Sequence, residues 1–331
     1  MRNELKKEFL LNSNLINIER IKLKKDASHR QYERIIKSNG DTLIFMDAPP
    51  DKEKVFPFIN VANFLLKNNL SAPEIIVSDI ENGFLILEDF GEASYSSIMS
   101  SAKIGLYEVD EMLIYNKAID ALIHLHNSSY HDSDLEHYNE EMLLSEAMRF
   151  IEFYIEVLNN EKISQSLKDE YILIWRDLLP IANLFNNVVV LRDYHADNLM
   201  WLEDRTGIRK VGLLDFQDAV IGSPAYDLVS LLEDARRDVN EKVVEKMISR
   251  YLNAFPDYSR KEFMAVYSIL AAQRNLKIIG IFARLAAVDN NKYYLTLLPR
   301  VWGHLNNNLK HPLLLPLKKW LNKVVPMQMK Y

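Results

Sequence analysis

The chain has 331 residues, 48% hydrophobic and 26% charged, which is ordinary globular usage and long enough for two lobes with separate cores. A formal charge of -6 argues against nucleic acid as a ligand, because binding a phosphate backbone needs a broad positive field. With no cysteine, disulfides, zinc-thiolate sites, iron–sulfur clusters and thiol nucleophiles are excluded, and a cytoplasmic location is expected. The first twenty residues are rich in charge and contain no apolar stretch of the signal-peptide kind, so no export signal is expected. The most apolar helix candidate, Phe263 to Val288, is interrupted by Gln273, Arg274, Lys277 and Arg284, so no membrane crossing is expected either. Nothing in the pattern calls for an obligate protein partner.

The first ninety residues read as short strands around one helix. Ile16 to Leu23 and Gln31 to Lys37 flank the polar segment from Lys25 to Arg30, giving two strands and a loop. Asn39-Gly40-Asp41 supplies turn chemistry before Thr42 to Met46, so a third strand hairpins onto the second. Val55, Ile59, Ala62 and Leu66 recur at helical spacing after Pro49-Pro50-Asp51, predicting a helix. Glu74 to Ser78 and Phe84 to Glu88, parted by a turn at Asn82-Gly83, form another hairpin. After Glu88-Asp89-Phe90-Gly91 the period lengthens, and helices are predicted from Met112 to about Ser129, Glu140 to Leu158 and Leu167 to Leu184. The β-branched run Val188 to Leu191 is too short for a helix. A hairpin of Leu199 to Leu202 with Lys210 to Leu214 follows, and from Pro224 the chain reads as helical to its end. The expected architecture is α+β, with a small antiparallel-sheet lobe at 1–90 and a large, mainly helical lobe at 91–331.

Two polar clusters follow apolar strands: Leu191-Arg192-Asp193-Tyr194-His195-Ala196-Asp197-Asn198 and Asp215-Phe216-Gln217-Asp218. Phosphoryl transfer to a hydroxyl needs a carboxylate beside the acceptor and oxygen ligands for magnesium across the phosphates. Magnesium keeps several waters, so one carboxylate and one amide oxygen suffice from the protein. The arrangement resembles the protein-kinase-like superfamily, whose catalytic loop reads H-R-D-L-x-x-x-N and whose metal loop begins D-F-G. That resemblance implies a two-lobed kinase fold, Asp193 as the catalytic base, Asn198 and Asp215 as metal ligands, and ATP with Mg2+ as the nucleotide and cofactor. Asp227, in Pro224-Ala225-Tyr226-Asp227-Leu228, is similar to the family's structural aspartate, which supports the catalytic-loop backbone. Leu191 stands where many members carry His, and Gln217 replaces the glycine of D-F-G. Only eight residues separate Asp215 from Pro224, leaving no room for a protein-kinase activation loop, so a small-molecule acceptor is expected, as in the aminoglycoside phosphotransferase and choline kinase branch.

A closer resemblance runs through Asp26-Ala27-Ser28, Met46-Asp47-Ala48-Pro49-Pro50, Leu87-Glu88-Asp89-Phe90-Gly91, Asp215-Phe216-Gln217-Asp218-Ala219 and Gln273-Arg274-Asn275-Leu276-Lys277. Together these segments look like the anomeric N-acetylmuramate/N-acetylglucosamine kinases of cell-wall sugar recycling, which implies a phosphotransferase with an alcohol acceptor and an amino sugar as partner. Ser28, His29 and Arg30 would then cover the nucleotide phosphates, and Glu88, Asp89 and Phe90 would correspond to the hinge that pairs with adenine. The third strand lacks the phosphate-binding lysine of protein kinases, and Arg30, Lys52 and Lys54 are its candidate replacements. Gln273, Lys277, Gly280 and Arg284 fall on one helical stripe; with Arg274 and Gln217 they are candidate substrate contacts, and the plain alternative is a solvated helix face. Two other readings stand beside the sugar kinase: a phosphotransferase for aminoglycosides, amino alcohols or other metabolites, and a nucleotide-binding pseudokinase scaffold.

Overall fold

The structure is a computed structural model and describes residues 2–23, 29–103, 110–131 and 133–325. In chain order the strands are β1 Glu19–Lys22, β2 Gln31–Ile36, β3 Thr42–Asp47, β4 Ile75–Asp79, β5 Phe84–Glu88, β6 Val188–Val190, β7 Leu199–Trp201, β8 Val211–Leu213 and β9 Val220–Gly222. The helices are α1 Arg2–Asn12, α2 Phe56–Lys67, α3 Tyr95–Lys103, α4 Glu111–His126, α5 Glu140–Arg149, α6 Gln165–Ala182, α7 Ala225–Leu232, α8 Glu241–Ala254, α9 Arg260–Ala287, α10 Leu298–Asn308 and α11 Leu315–Val324. The chain divides into two compact units, one of Met1–Asp134 with Ala196–Ala219 and the other of Leu135–His195 with Val220–Tyr331. The first unit therefore takes in more chain than the segment up to residue 90.

In the first unit an antiparallel sheet runs in the order β1-β2-β3-β5-β4. The β2–β3 and β4–β5 turns fall at Asn-Gly pairs, with Gly40 and Gly83 at positive φ. Gly83 is required twice over, because a β-carbon there would come within 2.0 Å of the Ala48 carbonyl oxygen, and its own carbonyl accepts the Ala48 N–H at 2.9 Å. Side chains alternate across the pleat, and Ile35, Phe45, Phe84 and Ile86 form one buried cluster with Phe9, Leu10 and Leu15. The Phe9, Phe45 and Phe84 rings lie 5.5 to 6.0 Å apart, so α1 closes this face of the sheet. The sequence reading contains no helix here. The charges that obscured it are used: Arg2 pairs with Asp47 at 2.5 Å and lies over the Phe84 ring, while Lys6 pairs with Glu33 at 2.6 Å and lies over Phe45. The unit is completed by α2, α3, α4 and the β7–β8 hairpin, where Leu213 N–H reaches the Ser71 carbonyl at 2.7 Å.

The second unit is helical around α9, whose buried residues occur on every side, from Phe263 to Ala286. A helix apolar nearly all round belongs in a core. The predicted helix from Glu140 to Leu158 is α5 followed by a π-helical stretch, Phe150–Leu158. The change of winding comes where α9 crosses, since a β-carbon on Gly280 would lie 2.3 Å from the Arg149 carbonyl oxygen and 2.8 Å from the Phe150 nitrogen. Trp302 of α10 packs against Phe150 and Tyr154 of the π-helical stretch. The ladder of β6 with β9, the latter absent from the sequence reading, pairs Val189 with Ile221. Among the described residues no helix is long and apolar enough to cross a membrane.

Candidate active site

Within the second unit, buried β6 delivers the chain to Leu191, Arg192 and Asp193. Asp227, fully buried at the start of α7, accepts the Leu191 N–H at 2.7 Å and the Arg192 N–H at 2.8 Å. Asp193 N–H donates to the Leu191 carbonyl at 2.8 Å, across Arg192 at φ +68°. This is a γ-turn with a positive central φ, a strained form for a non-glycine residue. The two Asp227 oxygens hold the entry to that turn, and the turn sets the direction of Asp193.

Around Arg192 and Lys277 lies a buried polar cluster whose centre, Glu146 on α5, is absent from the sequence reading. Arg192 forms an ion pair with Glu146, Lys277 Nζ lies 2.9 Å from the same Oε1, and Tyr138 donates its hydroxyl to Oε2. Gln273 donates to the Leu143 carbonyl at 2.9 Å and faces Glu146 Oε2 at 3.4 Å. Burial pushes the Glu146 carboxyl up, but Lys277 and Arg192 outweigh it and hold it at about 2. The signal for Glu146 was an acid on the apolar side of a helix, next to buried Leu143 and Ala147. At Asp193 burial again raises the carboxyl, and Lys277, His195, Arg274 and Arg192 together bring it below the usual carboxylate range. Arg274 is itself buried and donates to Ser230 Oγ at 2.8 Å.

The stripe on α9 is therefore divided. Gln273, Arg274 and Lys277 belong to the buried network beside Asp193, and Gly280 serves the crossing with the end of α5. Arg284 pairs at 3.4 Å with Asp289 at the helix end and is 39% exposed, seven residues or about 10 Å of helical rise from Lys277.

In the first unit the β7–β8 hairpin pairs Leu199 with Leu213, and Leu214 N–H donates to the Asn198 carbonyl at 3.0 Å. This register places Asn198 beside Asp215, with Nδ2 to Oδ2 at 3.5 Å. Gln217 donates to Asp215 Oδ1 at 2.9 Å. Asp215 sits at φ +58°, a conformation a non-glycine residue holds only when its surroundings enforce it. Buried Phe216 does so from the next position, stacking on Phe58 at 5.0 Å.

The other nucleotide candidates lie in the same unit. Ser28 falls outside the described residues. His29 N–H donates to Glu53 Oε1 at 3.2 Å, and the Arg30 guanidinium lies 3.2 Å from Glu53 Oε2. After β5, Asp89 pairs with Arg34 at 2.5 Å and accepts the Gly91 N–H at 2.8 Å. Glu88 pairs with Arg205, whose guanidinium lies over the Phe90 ring. The acidic side chains of this segment are thus engaged within the protein.

The profile of the phosphotransferase enzyme family matches residues 19–264. An N-acetylmuramate/N-acetylglucosamine kinase of Caulobacter vibrioides is 32% identical, covering 99% of this chain and 98% of the relative. A protein of the same name from Pseudomonas aeruginosa is 34% identical over 85% of this chain and 80% of its own. The ADP-bound aminoglycoside phosphotransferase APH(2'')-Ib superposes with a TM-score of 0.59 at 17% identity, covering 91% of this chain and 96% of that one, which is a likeness of fold. Asp193, Asn198 and Asp215 all fall inside the matched span; the chain belongs to the phosphotransferase enzyme family and is a kinase of hydroxyl acceptors.

Proposed function

We propose that this enzyme transfers the γ-phosphoryl group of ATP to the anomeric hydroxyl of N-acetylmuramate or N-acetylglucosamine, in the cytoplasm. The observation that carries the reading is the juxtaposition of Asn198 with Asp215, five residues along the chain from an Asp193 kept ionised by its neighbours. An amide and a carboxylate side by side are hard oxygen donors of the kind magnesium accepts, so the residues fit the metal the family implies. Bound there, magnesium would neutralise charge on the β- and γ-phosphates. Asp193 accepts the proton of the acceptor hydroxyl and aligns its oxygen, a contribution of about 10²–10⁴ in rate. Asp227 fixes the turn that aims Asp193, and Gln217 restrains Asp215 from the other side.

The surroundings of Asp193 favour a neutral or anionic sugar over a polycation. Arg192, Arg274 and Lys277 surround Asp193; of the neighbouring carboxylates, Glu146 is already paired with Arg192 and Lys277, and Asp227, pushed up to about 7 by burial, is engaged with two backbone N–H groups. A polycationic aminoglycoside meets repulsion there, whereas the carboxylate of N-acetylmuramate meets attraction. Incubation of the enzyme with Mg-ATP and each of a panel of amino sugars, with phosphorus NMR of the product, tests the proposal. The expected product is a sugar 1-phosphate, lost in Asp193→Asn. Turnover of aminoglycosides with no amino-sugar product transfers the assignment to the second reading, and a wild type that binds nucleotide without turnover transfers it to the scaffold.

A further inference from the structure

We propose that Arg30, positioned by Glu53, is the cation that anchors the nucleotide phosphates in place of the absent strand lysine; this rests on the kinase reading above. One face of the sheet is closed by α1 and its phenylalanine cluster, which takes Ile35 of β2. Side chains alternate along a strand, so Tyr32 and Arg34 point to the opposite face. Arg30, two residues before Tyr32, continues the same alternation. Tyr32 lies directly across from Met46 of β3, and Arg34 across from Ile44. Of the third strand, Thr42, Ile44 and Met46 share this face, so β3 supplies no charge to it.

Two guanidinium groups occupy the ends of that face. Arg34 is engaged with Asp89 and Glu92 of the segment after β5. Arg30 is four residues away, about 13 Å at the rise of a strand, a separation comparable with the length of an extended nucleoside triphosphate. Arg34 pairs with Asp89 of the segment that corresponds to the adenine hinge, so Arg30 is the end of the face turned away from that segment, where the phosphates of a nucleotide held there would extend. The Arg30 side chain is only 7% exposed and is held by Glu53 at 3.2 Å. Glu53 in turn takes the His29 N–H through its other oxygen, so the carboxylate orients the guanidinium and the approach to β2 together. The rival cations, Lys52 and Lys54, flank Glu53 but are exposed. A preset planar guanidinium with further donors suits bidentate phosphate binding better than a solvated ammonium does.

The test is calorimetric binding of Mg-ATP, ADP and adenosine to the full-length chain, which reads nucleotide affinity without turnover. Arg30→Met is expected to weaken ATP and ADP about 10- to 100-fold, the range of a hydrogen-bonded charge contact, with adenosine affinity unchanged. Arg30→Lys is expected to restore part of the loss. Glu53→Gln is expected to weaken ATP less than Arg30→Met does, and to add nothing in the double variant. Lys52→Ala and Lys54→Ala are expected to bind as wild type. If Arg30→Met binds ATP as wild type does, or loses adenosine in the same proportion, the assignment of Arg30 is overturned while the kinase reading stands. A wild type that binds no Mg-ATP overturns both.

Discussion

Replacing Glu146 by Gln removes one negative charge from the centre of the buried cluster and keeps its volume. The Glu146 carboxyl is brought from 4.5 to about 2, and its side chain is 8% exposed, so solvent screens little of the effect. A carboxyl brought down that far prefers its ionised form in the folded state by about 3 kcal/mol. Because the folded value lies below the unfolded one, this stabilisation is complete above about pH 4.5 and is lost as pH falls toward 2. This magnitude matches the roughly 3–5 kcal/mol typical of breaking a buried ion pair from one side, since Arg192 and Lys277 would remain buried. Urea unfolding of both proteins from pH 7.5 down to pH 3 measures it. The variant is expected to be about 3 kcal/mol less stable at pH 7.5, with the gap narrowing below pH 4.5 as the Glu146 carboxyl of the unfolded wild-type chain takes up its proton. A variant within 0.5 kcal/mol of wild type, or a gap that ignores pH, would refute the cluster as an electrostatic unit.

Gly280→Ala gains about 1 kcal/mol of helix propensity but drives a methyl group to 2.3 Å from a backbone oxygen. Overpacking against backbone has a cost of about 1–3 kcal/mol or more, so a lower urea midpoint is expected; a raised midpoint would show that the helices part easily. Asp227→Asn faces two backbone N–H donors with one acceptor oxygen, leaving a buried donor unsatisfied at about 1–3 kcal/mol. It should lower both thermal stability and kcat with little change in nucleotide affinity, and an unaltered kcat would separate Asp227 from the aim of Asp193. Phe9→Ala opens the ring cluster under α1 and should cost about 3–5 kcal/mol in chemical denaturation. An effect below 1 kcal/mol would mean that α1 is not integral to the sheet.

Much of this protein was legible along the chain because its signals are local. Alternating apolar residues and Asn-Gly turns gave β2, β3, β4 and β5, and the five-residue spacing of Asp193 and Asn198 is set along one loop, whereas Asn198 meets Asp215 through the β7–β8 register. The same holds for Asp227, whose place in the first turn of α7 follows from Pro224 just before it. α1 was not legible, since its charges, read only as evidence against an export signal, include Arg2 and Lys6, which pair with Asp47 and Glu33 of the sheet. Nor was the role of Glu146, because an acid on a helix is normally a surface residue. Only the approach of Arg192 and Lys277, from β6 and α9, makes its burial affordable.

The sequence by itself pointed to phosphoryl transfer, because the segment that carries Asp193 and Asn198 and the strand end that carries Asp215 are each local signals. Tertiary structure decided which charges are spent on the protein and which remain for ligands. Arg284 and Lys277 are alike on a helical wheel, yet one meets Asp289 at the surface and the other a buried carboxylate. An electrostatic partner is chosen by distance in space, and no periodicity along the chain encodes that distance.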